Sequence, residues 1–146
     1  MAHVAIYLNF QGTTESAFEY YKSVFGTDYS APMLRIKDLP PNPDAPPFSE
    51  SDLNCIMHVA LPIIGGTEIM GTDMLESLGH KVVVGNNTTI SLQLDSKEDA
   101  DRYYTALAEG GSEQAPMRDE FWGYWGCCLD RFGIRWMFNV MNPINN

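Results

Sequence analysis

One pattern runs through this chain twice, and it restricts the fold more than any other feature: a strand, an amphipathic helix closed by glycine, then three further strands. In the first pass Val4-Ala5-Ile6-Tyr7-Leu8-Asn9-Phe10 places Ile6, Leu8 and Phe10 on one face and Tyr7 and Asn9 on the other. That alternation is the period of a half-buried strand. Residues 13–25 then carry Ala17, Phe18, Tyr21, Val24 and Phe25 at helical spacing, behind threonines placed to cap, and stop at Gly26. A glycine there suits the left-handed residue that ends a helix. Strands follow at 32–37, 55–63 and 67–70, the last two hinged on Gly65-Gly66.

The second pass opens with Thr89-Ile90-Ser91-Leu92-Gln93-Leu94, which alternates strictly, and Ser96 with Asp99 forms a capping-box-like helix start. Ala100, Tyr103, Tyr104, Leu107 and Ala108 line one helical face before Gly110-Gly111 ends it. Tyr103-Tyr104 echoes Tyr20-Tyr21 of the first helix. Three strands are expected at 114–117, 125–130 and 135–140, with turns at Gly123 and at Asp130-Arg131-Phe132-Gly133. Between the passes, residues 73–87 read as a linker in which Lys81-Val82-Val83-Val84 can add a short edge strand. The loop 39–48 holds Pro40, Pro41, Pro43, Pro46 and Pro47, so it cannot join a central strand and is expected to be an exposed flap.

At 146 residues the chain fits one domain, 1–146, made of two modules at 1–75 and 86–142. Neither module is large enough to hide a sheet face well, so they should pair around a common core. The repeat is too short for a solenoid and has the wrong strand count for a doubly wound sheet. The expected class is α+β: two paired βαβββ modules forming curved mixed sheets around a cleft.

Charge narrows the partners. Nine Lys+Arg against nineteen Asp+Glu give −10, which repels phosphate backbones and anionic lipid. Nucleic acid and membrane partners are therefore not expected. No apolar stretch approaches the roughly 20 residues of a membrane span, and the N-terminus lacks the basic and apolar regions of a signal peptide. Cys55, Cys127 and Cys128 are odd in number and suit neither a disulfide framework nor a zinc knuckle. A cytoplasmic location is the expectation.

The doubled pattern, with Tyr7-Leu8-Asn9-Phe10 and Ala17-Phe18-Glu19-Tyr20-Tyr21-Lys22-Ser23-Val24-Phe25-Gly26, resembles the glyoxalase/bleomycin-resistance/dioxygenase superfamily, also called vicinal oxygen chelate. Gly66-Thr67-Glu68-Ile69-Met70-Gly71-Thr72-Asp73, Phe121-Trp122-Gly123 and Asp130-Arg131-Phe132-Gly133-Ile134-Arg135-Trp136-Met137-Phe138-Asn139 are similar to its PhnB-like branch. The resemblance covers nearly the whole chain and implies a homodimer. Proteins of this branch carry a ubiquinone methyltransferase label, yet the chain has no glycine-rich strand-to-helix turn of the kind that binds a nucleotide-like cofactor. No cofactor is expected.

Metal enzymes of the superfamily hold a divalent ion with His, Gln or Glu from the first and last strand of each repeat. Aligned on Leu8, Ile69, Ile90 and Trp136, those places fall at Ala5, Met70, Thr89 and Met137. A methyl group, two thioethers and one hydroxyl make no site for a hard or borderline cation. A one-residue slip offers Ile6 and Thr88, and Glu68 lies two positions from Met70, so slipping does not restore a ligand set. The expectation is a less polar, metal-free cleft.

Strand parity turns Tyr7, Asn9, Glu68, Met70 and Thr89 toward that cleft. Ser91, Gln93, Met137 and Asn139 face it by the same rule. Phe121 and Tyr124 flank Trp122 and Trp125, and this aromatic cluster, part of it on a turn, suits a planar or apolar molecule that Arg118 or Arg135 can orient. His58 is the candidate general base, since imidazole titrates near neutral pH, and Asp119 beside the aromatics is a second candidate acid-base group. The plainer alternatives are a hydrogen-bonded strand histidine and a solvated carboxylate; Asp73 and Glu120 share the second. His3 and His80 read as surface residues, and no Cys/His pairing marks Cys127 or Cys128 as a nucleophile. Two functions follow: metal-independent binding of a small amphiphilic molecule, or a superfamily enzyme (lyase, isomerase or dioxygenase-like) that works through His58 and Asp119 or through metal ligands placed elsewhere.

Overall fold

The computed structural model describes residues 1–143. The chain divides into two compact units, Met1–Val83 and Val84–Asn146. In the first, β1 (Ile6–Phe10) leads into α1 (Thr14–Phe25), followed by β2 (Leu34–Arg35), the short α2 (Glu50–Leu53), β3 (Ile56–Pro62) and β4 (Glu68–Asp73). The sheet order is β1-β4-β3-β2, with β1 parallel to β4 and the other neighbours antiparallel. In the second unit β5 (Ile90–Gln93), α3 (Lys97–Ala108), β6 (Ser112–Glu120), β7 (Gly123–Leu129) and β8 (Arg135–Met141) form a sheet in the order β5-β8-β7-β6. Each pass therefore builds the same four-stranded mixed sheet, in which the first and last strands of the pass lie side by side and parallel.

The helices sit where the periodicity places them. Ala17, Phe18 and Tyr21 of α1 are fully buried, and Phe18 meets Phe10 edge to face at 6.2 Å. Burying each such large side chain contributes about 1.5–3 kcal/mol. Gly71 in β4 lets the ring come this close, because a Cβ there would lie 2.6 Å from Phe18. In the second unit Tyr104 of α3 packs edge to face on Phe138 at 5.6 Å, over buried Leu92, Cys128 and Trp136. Gly26 takes the left-handed conformation that closes α1, and Ser96 accepts the Asp99 backbone N–H at 3.1 Å to open α3.

Several local expectations are corrected. Thr13 stands at the cap of α1 but makes no side-chain cap bond. Asp73, at the end of β4, takes that role from across the sheet: its Oδ1 accepts from Gly12 N, Thr14 N and Thr14 Oγ1 at 3.0, 3.1 and 2.6 Å. A carboxylate satisfies several orphan amides and also faces the positive end of the helix, which one threonine hydroxyl cannot match. The strand expected at 32–37 shrinks to Leu34–Arg35, because the chain turns at once into a 3-10 turn at Ile36–Asp38, closed by Arg35 N–H donating to Asp38 Oδ2 at 2.9 Å. Lys81-Val82-Val83-Val84 forms no strand: Val82 N–H donates to Gln11 Oε1 at 2.9 Å and Val83 is 86% exposed. The strand at 114–117 runs instead from Ser112 to Glu120, which moves Arg118 and Asp119 from a loop onto β6. The proline-rich segment 39–48 carries no helix or strand. Among the described residues no helix is long and apolar enough to cross a membrane.

Candidate functional site

Each sheet has one face under its helix and one face without a helix, and the expected site residues sort by strand alternation. In the second unit Gln93 pairs with Asn139, Ser91 with Met137, Trp125 with Asn139, Cys127 with Met137 and Arg118 with Trp125. Directly paired residues point to the same side of a sheet. Phe138 beside Asn139 points to α3, so Ser91, Gln93, Arg118, Trp125, Met137 and Asn139 share the open face. Thr89 lies just before β5 and stays half-buried.

Trp122 joins this face from the β6–β7 turn. Its ring stands 6.4 Å from Trp125 and 4.9 Å from the exposed Phe121, edge to face with both. The turn is held against β8, where Asn142 N–H donates to Trp122 O at 3.0 Å. Only glycine fits at 123, since a Cβ would sit 2.1 Å from the Val140 carbonyl oxygen.

The polar groups of this face form a chain. Trp122 Nε1–H donates to Asn139 Oδ1 at 3.0 Å, Asn139 Nδ2–H to Gln93 Oε1 at 2.9 Å, and Gln93 Nε2–H to Ser91 Oγ at 2.7 Å. Asn139 is buried and its amide is satisfied on both sides. At the far strand the Arg118 guanidinium lies over the Trp125 ring, 5.2 Å from its centroid, while Nε–H donates to Glu120 Oε1 at 2.6 Å. Glu120 thus lies next to the site as the partner of Arg118, a relation that the shorter expected strand hid. Arg135 pairs instead with Glu113.

In the first unit Tyr7 pairs with Met70, Asn9 with Thr72 and Glu68 with Pro62, on the face away from the buried Leu8, Phe10 and Ile69. The Tyr7 hydroxyl lies 3.1 Å from His58 Nδ1, with ring centroids 5.8 Å apart. Burial pushes the Tyr7 phenol up, and contact with the Thr72 hydroxyl draws it part of the way back. Glu68 accepts a hydrogen bond from Ser30. Thr72, which sequence reasoning did not single out, donates to Met57 O at 2.8 Å; its alternation with Met70 was the available signal.

Asp119 belongs to the second unit and His58 to the first. Asp119 pairs with Tyr124, whose hydroxyl donates to Asp101 of α3 at 2.7 Å, so it lies on the helix side of the second sheet. There its exposed carboxylate takes Lys97 Nζ at 2.8 Å. Asp73 is buried, but its oxygens are committed to backbone amides and to Thr14.

The resemblance implies four metal-ligand positions. In the first unit they are Ala5, just ahead of β1, and Met70; in the second, Thr89 and Met137. Alanine has no donor, thioethers are too soft for Mg or Mn, and a lone hydroxyl holds no divalent ion. Among the described residues no group of three or more His, Cys, Asp or Glu is arranged to hold a metal ion. The strand-to-helix turns are occupied as well: the amides of Gly12 and Thr14 are spent on Asp73, and that of Asp99 on Ser96.

A family model described as 3-demethylubiquinone-9 3-methyltransferase matches residues 2–139. Protein PA1353 from Pseudomonas aeruginosa is 33% identical, with a TM-score of 0.81, covering 98% of this chain and 100% of that one. The PhnB protein from Bacillus cereus is 18% identical, with a TM-score of 0.74, covering 95% and 99%. A glyoxylase/bleomycin resistance protein/dioxygenase domain from Frankia sp. EAN1pec is 14% identical, with a TM-score of 0.62, covering 97% of each chain. The match of 2–139 takes in both passes of the pattern, and the fold is shared with the PhnB protein and with the glyoxylase/bleomycin resistance protein/dioxygenase domain; the chain belongs to the 3-demethylubiquinone-9 3-methyltransferase family.

Proposed function

We propose that this PhnB-like protein binds a small amphiphilic molecule, without a metal ion, on the open face of its second sheet. One observation carries the reading: Trp122 and Trp125 stand edge to face beside Arg118, on a face whose other residues include Met137 and the uncharged Ser91, Gln93 and Asn139. Aromatic walls with a few fixed polar groups are what a small-molecule site needs, since apolar burial supplies affinity and the polar groups set orientation. Met137 adds a flexible apolar surface that adapts to the ligand. At the strand-to-helix turns the amides of Gly12, Thr14 and Asp99 are already engaged by Asp73 and Ser96, so methyl transfer from a nucleotide-type donor is no part of the reading.

The test is a thermal-shift screen of planar and amphiphilic compounds, run with chelator and in parallel with an added divalent ion. A hit whose stabilisation grows with concentration, as binding linkage requires, and shrinks in Trp122→Ala supports the reading. Hits that need an added divalent ion, or that are indifferent to Trp122→Ala, refute it.

A second reading, a superfamily enzyme, is favoured by the Tyr7–His58 contact alone. A phenol held on Nδ1 orients the imidazole and leaves Nε2 to exchange a proton with a substrate. Loss of turnover in His58→Ala, with ligand binding kept, would select it.

A further inference from the structure

One indole fixes the direction of three linked hydrogen bonds across the open face of the second unit. Trp122 Nε1–H can only donate, so the Asn139 atom 3.0 Å away must be the amide oxygen. That turns Asn139 Nδ2 toward β5, and the Gln93 atom 2.9 Å from it must also be an oxygen. Gln93 Nε2 then donates to Ser91 Oγ at 2.7 Å. The serine oxygen is already an acceptor, so its own proton remains to be given.

The consequence is a face whose amide oxygens each hold a hydrogen bond and whose remaining N–H and O–H groups outnumber the one carboxylate oxygen left, Glu120 Oε2. Asn139 Oδ1 is taken by Trp122, Gln93 Oε1 by Asn139, and Glu120 Oε1 by Arg118 Nε–H. The donors that remain on the exposed side chains are the Ser91 O–H, the second N–H of Gln93 Nε2 and the terminal nitrogens of Arg118, whose guanidinium holds Glu120 in an ion pair. These stand on the same face as Trp122 and Trp125.

We infer that the ligand is a planar ring compound bearing acceptor oxygens, either a carboxylate or a neutral carbonyl, which lies against the two tryptophans and accepts hydrogen bonds from Ser91, Gln93 and Arg118. The inference rests on the binding reading above and adds the ligand's chemistry. An ammonium-bearing amphiphile of equal size leaves these donors facing a donor. The net charge of −10 draws cations from a distance, but that field governs encounter, whereas the contacts govern the bound state.

The test uses the full chain and three ring-matched probes, 2-naphthoic acid, 2-acetylnaphthalene and 2-naphthylmethylamine, followed by tryptophan fluorescence and calorimetry. The acid and the ketone should bind about tenfold or more tighter than the amine, the worth of one or two well-placed hydrogen bonds. Ser91→Ala should weaken the acid and the ketone and leave the amine unchanged. Gln93→Glu keeps the shape and the acceptor for Asn139, removes the donor to Ser91 and reverses that hydroxyl, so it should invert the ranking. Both positions are exposed, and a melt of each variant checks that it is folded. Binding of all three probes without preference, or an unchanged ranking in Gln93→Glu, overturns this inference and leaves the binding reading standing. If none of the three binds, both fall.

Discussion

The indole N–H of Trp136 donates to Asp130 Oδ2 at 2.8 Å with both residues buried, while Oδ1 of the same carboxylate accepts from Phe132 N at 2.8 Å and Ile134 N at 3.0 Å. One side chain thus shapes the β7–β8 turn and anchors the largest core residue of the second unit. Asp130→Asn keeps an oxygen for the turn amides but sets an amide N–H against the indole N–H. The expected loss is about 1–3 kcal/mol, the cost of leaving a buried donor unmet. Urea unfolding followed by tryptophan fluorescence measures it; an unchanged midpoint would show that the indole finds another acceptor.

Asp73 plays a comparable part in the first unit. It joins the end of β4 to the start of α1 and, through Oδ2, accepts Ile56 N–H of β3 at 2.8 Å. Asp73→Ala strands several buried donors and removes the charge opposing the helix N-terminus, so a loss of about 3 kcal/mol or more is expected. Hydrogen exchange should quicken first at the amides of Gly12, Thr14 and Ile56. Thr14→Val removes only the hydroxyl donor and should cost about 1 kcal/mol.

Much of this was legible in the chain, because alternation and helical spacing report burial directly. Ile6, Leu8 and Phe10 against Tyr7 and Asn9 gave the orientation of β1, and Gly26 marked the end of α1 where the backbone turns left-handed. Parity likewise put Ser91, Gln93, Met137 and Asn139 on one face. What escaped was non-local. Asp73 capping a helix about sixty positions earlier and the order of Trp122, Asn139, Gln93 and Ser91 in one chain depend on strand neighbours that periodicity does not reveal. The end of β6 was missed because Arg118-Asp119-Glu120 has no apolar residue to show the alternation; the cross-strand partners Trp125, Tyr124 and Gly123 decide it instead. Lys81-Val82-Val83-Val84 misled for the opposite reason, since β-branched residues suit a strand but no neighbouring strand pairs with them.

Gly71 tests how closely α1 lies on its sheet. A methyl group there meets Phe18 Cε2 at 2.6 Å and Cζ at 2.9 Å, with the Leu8 carbonyl oxygen at 3.3 Å. Gly71→Ala should destabilise by about 1–3 kcal/mol through overpacking. Because the closest obstacle is a side chain, Phe18→Leu in the same chain should recover part of that loss, giving a favourable coupling in a double-mutant cycle. Strict additivity would place the strain in the β1 backbone instead.

Cys128 carries the alkaline behaviour that can be isolated most cleanly. It is 1% exposed, and burial, reinforced by the Asp130 carboxylate, pushes its thiol up to about 12 from an ordinary value of 9.0. The native state therefore holds a proton that the unfolded chain releases. The stability this gives is fully present below about pH 9 and is lost as the pH rises toward about 12. Tyrosines whose phenols are also raised, among them Tyr7 and Tyr124, add the same sign of dependence, but only above their ordinary value of 10.0. Between pH 9 and 10 the slope thus comes from thiols, with Cys55, raised by burial and by Asp73, adding to Cys128. Urea midpoints across that window should fall in the parent chain and fall less in Cys128→Ala, with Cys55→Ala removing a further part. The same burial predicts that iodoacetamide at pH 8 leaves Cys128 unmodified until urea unfolds the chain. Native labelling of Cys128 at the rate of its neighbour Cys127 would show that α3 does not cover the strand it is packed on.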